Sequence, residues 1–200
     1  MISRSMAKLS QVRKVAAYYL SEPVARLLAR TPITPNAITW FGFLVTIGAA
    51  ALIITEHIFA AGFVVLVAGF FDILDGALAR YTNQTTPFGA VLDSTLDRLS
   101  EALLLLGILV LYAREQSVIP ILLVCLALLG SLLVSYIRAR SEASGVECQV
   151  GLFTRPERVI VLALGLLLNQ VVIALAIIVV FSFITVGQRL LYVWQQTKIK

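Results

Sequence analysis

Long apolar runs separated by short polar breaks dominate the chain. Residues 37–55 (AITWFGFLVTIGAAALIIT) and 58–80 predict two helices long enough to cross a bilayer, whose hydrocarbon layer of about 30 Å takes roughly 20 helical residues. Residues 92–113 and 117–138, divided by AREQS, predict the next two. The last region holds VIVLALGLLL and VVIALAIIVVFSFITV joined at Asn169–Gln170, so residues 159–187 read either as two short spans or as one overlong helix. Upstream, residues 5–30 intersperse basic residues with Leu, Val, Ala and Tyr, the pattern of an amphipathic helix on a membrane surface. The stretch TPITPNAITW ends it, with two prolines and then Asn36 in the position of an N-cap.

Composition agrees with the pattern. Hydrophobic residues make up 60% of the chain and mean hydropathy is +0.94, well above the roughly 45–50% apolar content of soluble domains. Charge placement then orients the spans. Six spans with the N-terminus inside leave only Arg114 of the 16 Lys and Arg residues outside, as the positive-inside rule requires. Neither Cys125, in an apolar run, nor Cys148, in a polar loop, suggests a disulfide framework or a metal site. His57, beside Glu56, reads as a solvated loop residue, and VAAYYL is too short an apolar core for a secretory signal. The expected fold is an all-α integral membrane protein with six transmembrane helices, an N-terminal amphipathic juxtamembrane helix and both termini cytoplasmic. Its parts are a surface helix and linker over 1–34, a six-helix membrane domain over 35–196 and a tail over 197–200.

All four aspartates of this chain, Asp72, Asp75, Asp93 and Asp97, fall between residues 72 and 97. Apolar runs on both sides put them near the cytoplasmic ends of the second and third spans. An unpaired carboxylate costs about 2.5–3.5 kcal/mol at the centre of a membrane helix, and four together repel one another. Asp72 and Asp75 are spaced i,i+3 and Asp93 and Asp97 i,i+4, so each pair shares one helix face. Between them YTNQTTPFG, with Pro87 and Gly89, should end one helix and start the next, letting two acidic faces meet. Hard divalent cations, Mg²⁺ or Mn²⁺, are the natural partners for four converging carboxylates. Gly76 and Gly89 remove side chains beside the acids, and Arg80 lies close to the same face, able to meet a phosphate. Simple neutralisation by Arg80 and Arg98 leaves too many carboxylates over. An ion-coupled transporter is the alternative of another class, but transport acids usually sit near the midplane. A metalloenzyme working at the membrane interface fits better.

The spacing Asp72-x2-Asp75-Gly76-x2-Ala79-Arg80-x8-Gly89-x3-Asp93-x3-Asp97 resembles the signature of the CDP-alcohol phosphatidyltransferases at every specified position. The resemblance implies transfer of a phosphatidyl group from a CDP-linked lipid to an alcohol, with release of CMP. It also implies a divalent metal pair, a homodimer, and a polar cavity facing the cytoplasm. By that likeness Asp72, Asp75 and Asp93 are metal ligands, and Asp97 is both ligand and catalytic base. Gly76, Arg80, Thr86 and Gly89 would meet the CDP-lipid, as would Asn36, Ala37, Ile38 and Thr39 at the start of the first span. No covalent intermediate is required, and no cysteine or serine is placed to form one.

Choice of alcohol must come from elsewhere in the chain. SYIRARSEASGVECQVGLFTRPERVIV gathers Arg138, Arg140, Arg155 and Arg158 around one expected cytoplasmic loop, and Arg189 returns near the end of the last span. Topology alone accounts for loop arginines, yet several beside a metal site suggest an acceptor carrying its own phosphate. SYIRARSEASG, RPER and QRLLYVW resemble the phosphatidylinositol phosphate synthase branch of the family, which uses inositol phosphate. That likeness implies an acceptor-phosphate pocket of Ser135, Arg138, Arg155 and Arg189, with Arg158 nearby. Arg138 stands where many of that branch have lysine, which keeps the charge and changes the donor geometry. Glycerol 3-phosphate, giving phosphatidylglycerol phosphate, is the rival acceptor, since it too needs a phosphate pocket. Diacylglycerol and archaeol lipids both remain open, and the expected location is the plasma membrane of a prokaryote.

Overall fold

The computed structural model describes residues 21–198, and among these the structure is all helix, turn and loop. Six helices follow in order: α1 (Pro35–Ile54), α2 (Ile58–Tyr81), α3 (Pro87–Arg114), α4 (Val118–Ala143), α5 (Arg155–Leu167) and α6 (Val171–Lys198). Residues 21–28 are also helical and 29–30 form a turn, so the helix ends two residues before the expected 30; residues 5–20 of the expected surface helix lie outside the described residues. Ala25 from this stretch is buried with Ile38, Leu74 and Leu78, which seats it across the ends of α1 and α2.

Four of the helices, α1, α2, α4 and α6, are long and apolar enough to cross a membrane. Their outward faces carry large apolar side chains such as Phe59 and Ile119, each 71% exposed. So much uncovered hydrocarbon suits lipid rather than water. The two remaining helices differ: α3 carries the second aspartate pair within its 28 residues, and α5 has only 13.

Several boundaries differ from those the sequence predicts. Helix α1 is capped by Thr34, whose side chain accepts from the Ala37 amide at 3.3 Å; Asn36, expected as the cap, lies inside the first turn. Pro35 explains the shift, because proline is favoured at the first helical position, directly after a cap. Helix α3 begins at Pro87 rather than 92, capped by Thr86, whose Oγ1 accepts from the Gly89 amide at 3.0 Å. Helix α4 runs five residues beyond the expected 138, so Arg138 and Arg140 are helical; with Arg155 and Arg158 on α5, no arginine of this group lies in the loop itself.

The ambiguous 159–187 region is two helices. Asn169 adopts a left-handed conformation (φ 53°), and the Gln170 amide reaches back to the Gly165 carbonyl at 2.7 Å. That 6→1 bond is a Schellman stop, with asparagine tolerating the left-handed turn.

The apolar core fills the half of the bundle away from the aspartates. It joins Ala49 and Ile53 of α1, Val65 of α2, Leu105 and Ile108 of α3, Val124 of α4, Leu166 of α5 and Leu175 of α6. Gly62 lets α2 press on α5: a Cβ there would lie 2.9 Å from the Leu167 amide nitrogen. In the other half the buried groups turn polar, with Glu101, Ser131, Arg158, Thr185 and Arg189 all inside.

Candidate active site

The turn between α2 and α3 brings the two acidic faces together. Asp72, Asp93 and Asp97 each offer a carboxylate oxygen, all within 4.8 Å of one another. Asp75 stands beside this trio. It is buried, its Oδ1 accepts from the Gly76 amide at 2.5 Å, and its Oδ2 has no partner among the described residues. An orphaned buried carboxylate oxygen beside three converging carboxylates is a donor set suited to a hard divalent cation, so the residues fit the expected metal.

Neutralisation by Arg80 and Arg98, set aside on the sequence, is not what the structure shows either. Arg98 donates to the Ser94 carbonyl of its own helix, and the Arg80 guanidinium lies over Gly76, 3.3 Å from where a Cβ would be. Arg155 instead bridges the acids. Its Nη1 lies 2.7 Å from both carboxylate oxygens of Asp72 and 2.5 Å from Asp97 Oδ1. The first turn of α5 makes this possible. Thr154 and Glu157 form a capping box, the Thr154 amide donating to Glu157 Oε2 at 2.7 Å, which fixes where Arg155 and Arg158 emerge.

Two cavities flank the acids and share Asp93. One, of about 180 Å³, is lined by Asn36, Thr39, Gly76, Arg80, Thr86 and Gly89 together with Asp75. The expected Ala37 and Ile38 turn away from it: Ala37 is exposed and Ile38 joins the buried cluster with Leu74. Gly89 is needed where α1 and α3 meet, because a Cβ there would sit 3.2 Å from Asn36 Oδ1. The second cavity, of about 1160 Å³, is lined by Ser135, Arg138, Arg155, Arg158 and Arg189, with Asp93 and Asp97 at its edge. Arg138 is exposed and paired with Glu142 at 2.9 Å. Arg189 is buried and donates through Nε to the Val150 carbonyl at 2.8 Å and through Nη1 to the Val134 carbonyl.

One residue escaped the sequence reading altogether. Glu101, one turn beyond Asp97 on the same face of α3, is buried and takes Arg158 in two parallel bonds, Nε to Oε1 at 2.5 Å and Nη2 to Oε2 at 2.8 Å. Ser131 of α4 adds a third bond to Oε1 at 2.9 Å. The i,i+4 continuation of Asp93 and Asp97 into an otherwise apolar run was the available signal.

Asp75 and Asp93 border the small cavity and Asp93 and Asp97 the large arginine-lined one, within an apolar helical shell, an arrangement suited to a membrane enzyme that handles anionic groups. Residues 32–187 match the CDP-alcohol phosphatidyltransferase family, and the chain belongs to it. It is 36% identical to archaetidylinositol phosphate synthase of Methanothermobacter thermautotrophicus, across 98% of both chains. It is 35% identical to phosphatidylinositol phosphate synthase of Mycobacterium tuberculosis, covering 94% of this chain and 92% of that one. The crystal structure of the M. tuberculosis enzyme with CDP-DAG bound superposes with a TM-score of 0.79 at 34% identity, over 87% of this chain and 93% of the other. The same enzyme in complex with manganese and citrate gives 0.78 at 35% identity, over 86% and 88%.

Proposed function

We propose that this transferase moves a phosphatidyl-type group from a CDP-linked lipid to a hydroxyl of inositol phosphate, releasing CMP. The observation that carries the reading is the position of the acids beside two cavities, the larger lined by Ser135 and five arginines, Arg98, Arg138, Arg155, Arg158 and Arg189. The names of the full-length relatives, and the CDP-DAG and manganese complexes of the mycobacterial enzyme, support the same assignment. Glycerol phosphate and ion transport have no comparable support.

In this reading the small cavity takes the CDP end of the lipid. Arg80 donates to the pyrophosphate, and Asn36, Thr39 and Thr86 hydrogen-bond the nucleotide. Asp72, Asp75, Asp93 and Asp97 would hold Mg²⁺ or Mn²⁺, which supplies neutralisation of the pyrophosphate when bound. Arginines of the large cavity bind the acceptor's phosphate and aim its hydroxyl at the lipid-side phosphorus. The hydroxyl oxygen forms the new P–O bond as the bond to CMP breaks in line, and Asp97 takes the hydroxyl proton. CMP departs with the bonding electrons, so no covalent enzyme intermediate is needed.

The finer topology belongs to the same proposal. Helix α3, and the short α5 together with the loop that leads into it, complete six crossings of a prokaryotic plasma membrane, with both termini and the acids on the cytoplasmic side. Arg114, at the opposite end, donates to the Ile54 carbonyl at 2.9 Å. The deciding experiment supplies purified protein with CDP-diacylglycerol, Mg²⁺ and either inositol phosphate or glycerol 3-phosphate. CMP release with inositol phosphate alone is expected. Release with glycerol phosphate alone would reassign the acceptor, and no release with either would remove the proposed reaction.

A further inference from the structure

Arg155 lies in two places at once. Its Nη1 bridges Asp72 and Asp97 at 2.5–2.7 Å, and its side chain also lines the 1160 Å³ cavity with Ser135, Arg158 and Arg189. The bridge is an awkward seat for it. Arg155 is the first residue of α5, and a cation at a helix N-terminus opposes the helix dipole. Its Nε is buried there without a partner among the described residues. What holds the guanidinium is the carboxylate pair. A cation of the Mg²⁺ or Mn²⁺ type binds such oxygens at about 2.0–2.1 Å. With Nη1 already 2.7 Å from Asp72 and 2.5 Å from Asp97, the guanidinium occupies oxygens that the metal would use, so the two cations compete for them.

We propose that Arg155 is a coupling residue: it competes with the divalent metal for Asp72 and Asp97, and metal loading delivers its guanidinium to the acceptor cavity. The second half rests on the acceptor reading above; the first half stands on geometry alone. The consequence is ordered assembly. Metal displaces Arg155, the freed guanidinium joins Arg158 and Arg189, and only then is the phosphate pocket complete. Linkage makes the effect reciprocal, so the acceptor tightens metal binding by the same factor that metal tightens acceptor binding.

The test measures binding rather than turnover. Mn²⁺ is titrated into full-length protein in detergent and followed by its electron paramagnetic resonance signal, with and without inositol phosphate, for wild type, Arg155→Gln and Arg138→Gln. In the absence of acceptor, Arg155→Gln should bind Mn²⁺ about tenfold more tightly, within the range usual for linked sites. Arg138→Gln, which removes an equal charge from the same cavity, should shift it by less than about threefold. Inositol phosphate should lower the Mn²⁺ Kd of wild type about tenfold and leave that of Arg155→Gln nearly unchanged. A purely structural role for Arg155 would let the acids splay and weaken Mn²⁺ binding; equal or weaker binding by Arg155→Gln overturns the proposal. An equal gain in Arg138→Gln overturns it as well, since general electrostatics would then suffice. Arg155→Lys, which keeps charge and helix but shortens the reach, should fall between wild type and Arg155→Gln and guards against a folding artefact. Wild type that shows the Arg155 competition but never binds or turns over inositol phosphate overturns the acceptor reading and leaves the competition intact.

Discussion

Breaking the buried pair of Glu101 and Arg158 from one side should cost far more than removing it whole. Arg158 is 2% exposed and Glu101 8% exposed, and their contact is bidentate, with Ser131 donating to the same carboxylate. Glu101→Met leaves a guanidinium in the protein interior facing an apolar side chain. Such an uncompensated buried charge is worth about 3–5 kcal/mol of destabilisation. Arg158→Met strands Glu101 with Ser131 as its remaining donor, so its cost should lie toward the lower end, about 3 kcal/mol. The double variant removes both charges and both desolvation costs, replacing them with side chains of similar length. Its stability should return to within about 1–2 kcal/mol of wild type, leaving a coupling of roughly 4 kcal/mol or more in a double-mutant cycle. Unfolding of the protein in bicelles, followed by tryptophan fluorescence under a denaturing detergent, reads all four species. Additive losses, with the double variant worse than either single one, would refute the reasoning; they would mean that water reaches the pair and screens it.

Three further outcomes are expected. Asp97→Asn should lower turnover by about 10²–10⁴-fold, the usual worth of a positioned base, while CDP-lipid binding by equilibrium titration changes little; retained turnover removes Asp97 as the base. Gly89→Ala places a Cβ 3.0 Å from Thr86 Oγ1 and 3.2 Å from Asn36 Oδ1, so the KM for CDP-lipid should rise several-fold with the acceptor KM steady, and equal change in both would point to general misfolding. Asn169→Ala should destabilise by about 1–2 kcal/mol through its left-handed backbone whereas Asn169→Gly should not; equal melting temperatures would argue against the turn between α5 and α6.

The acidic faces were legible because helical period alone sets them. Spacings of three and four put Asp72 with Asp75 and Asp93 with Asp97, and one proline-led turn folds the faces together. Helix ends were less legible: Thr34 rather than Asn36 caps α1, since a proline at the first helical position outranks a good capping residue one place later. The partner of the acids was invisible in the local sequence, because Arg155 stands 83 residues from Asp72. Glu101 was hidden differently. It continues the stripe of Asp93 and Asp97 by one more turn, but it sits in LSEALLLLG, where attention to aspartate alone passes over it.

The large cavity follows from the shortness of α5. Its 13 residues span about 20 Å, whereas the 28 of α6 span about 42 Å, and the turn at Asn169 joins the end of α5 to the start of α6. Helix α5 therefore ends beside the middle of α6, and the chain from α4 must come in along α6 to meet it. Backbone groups in that position need partners inside the protein. Thr185 Oγ1 accepts from the Phe153 amide at 3.1 Å, Gln188 Oε1 accepts from the Leu152 amide at 3.1 Å, and Arg189 donates to the Val150 carbonyl at 2.8 Å. These three α6 side chains hold the loop against their own helix. Had α5 continued for a full span, Arg155 and Arg158 would lie in its middle, away from a helix start. Because it stops short, the capping box of Thr154 and Glu157 sets both arginines at the depth of Asp72, Asp97 and Glu101. The truncation of one helix thus brings the arginines to the acids and leaves beside them the open volume of the large cavity.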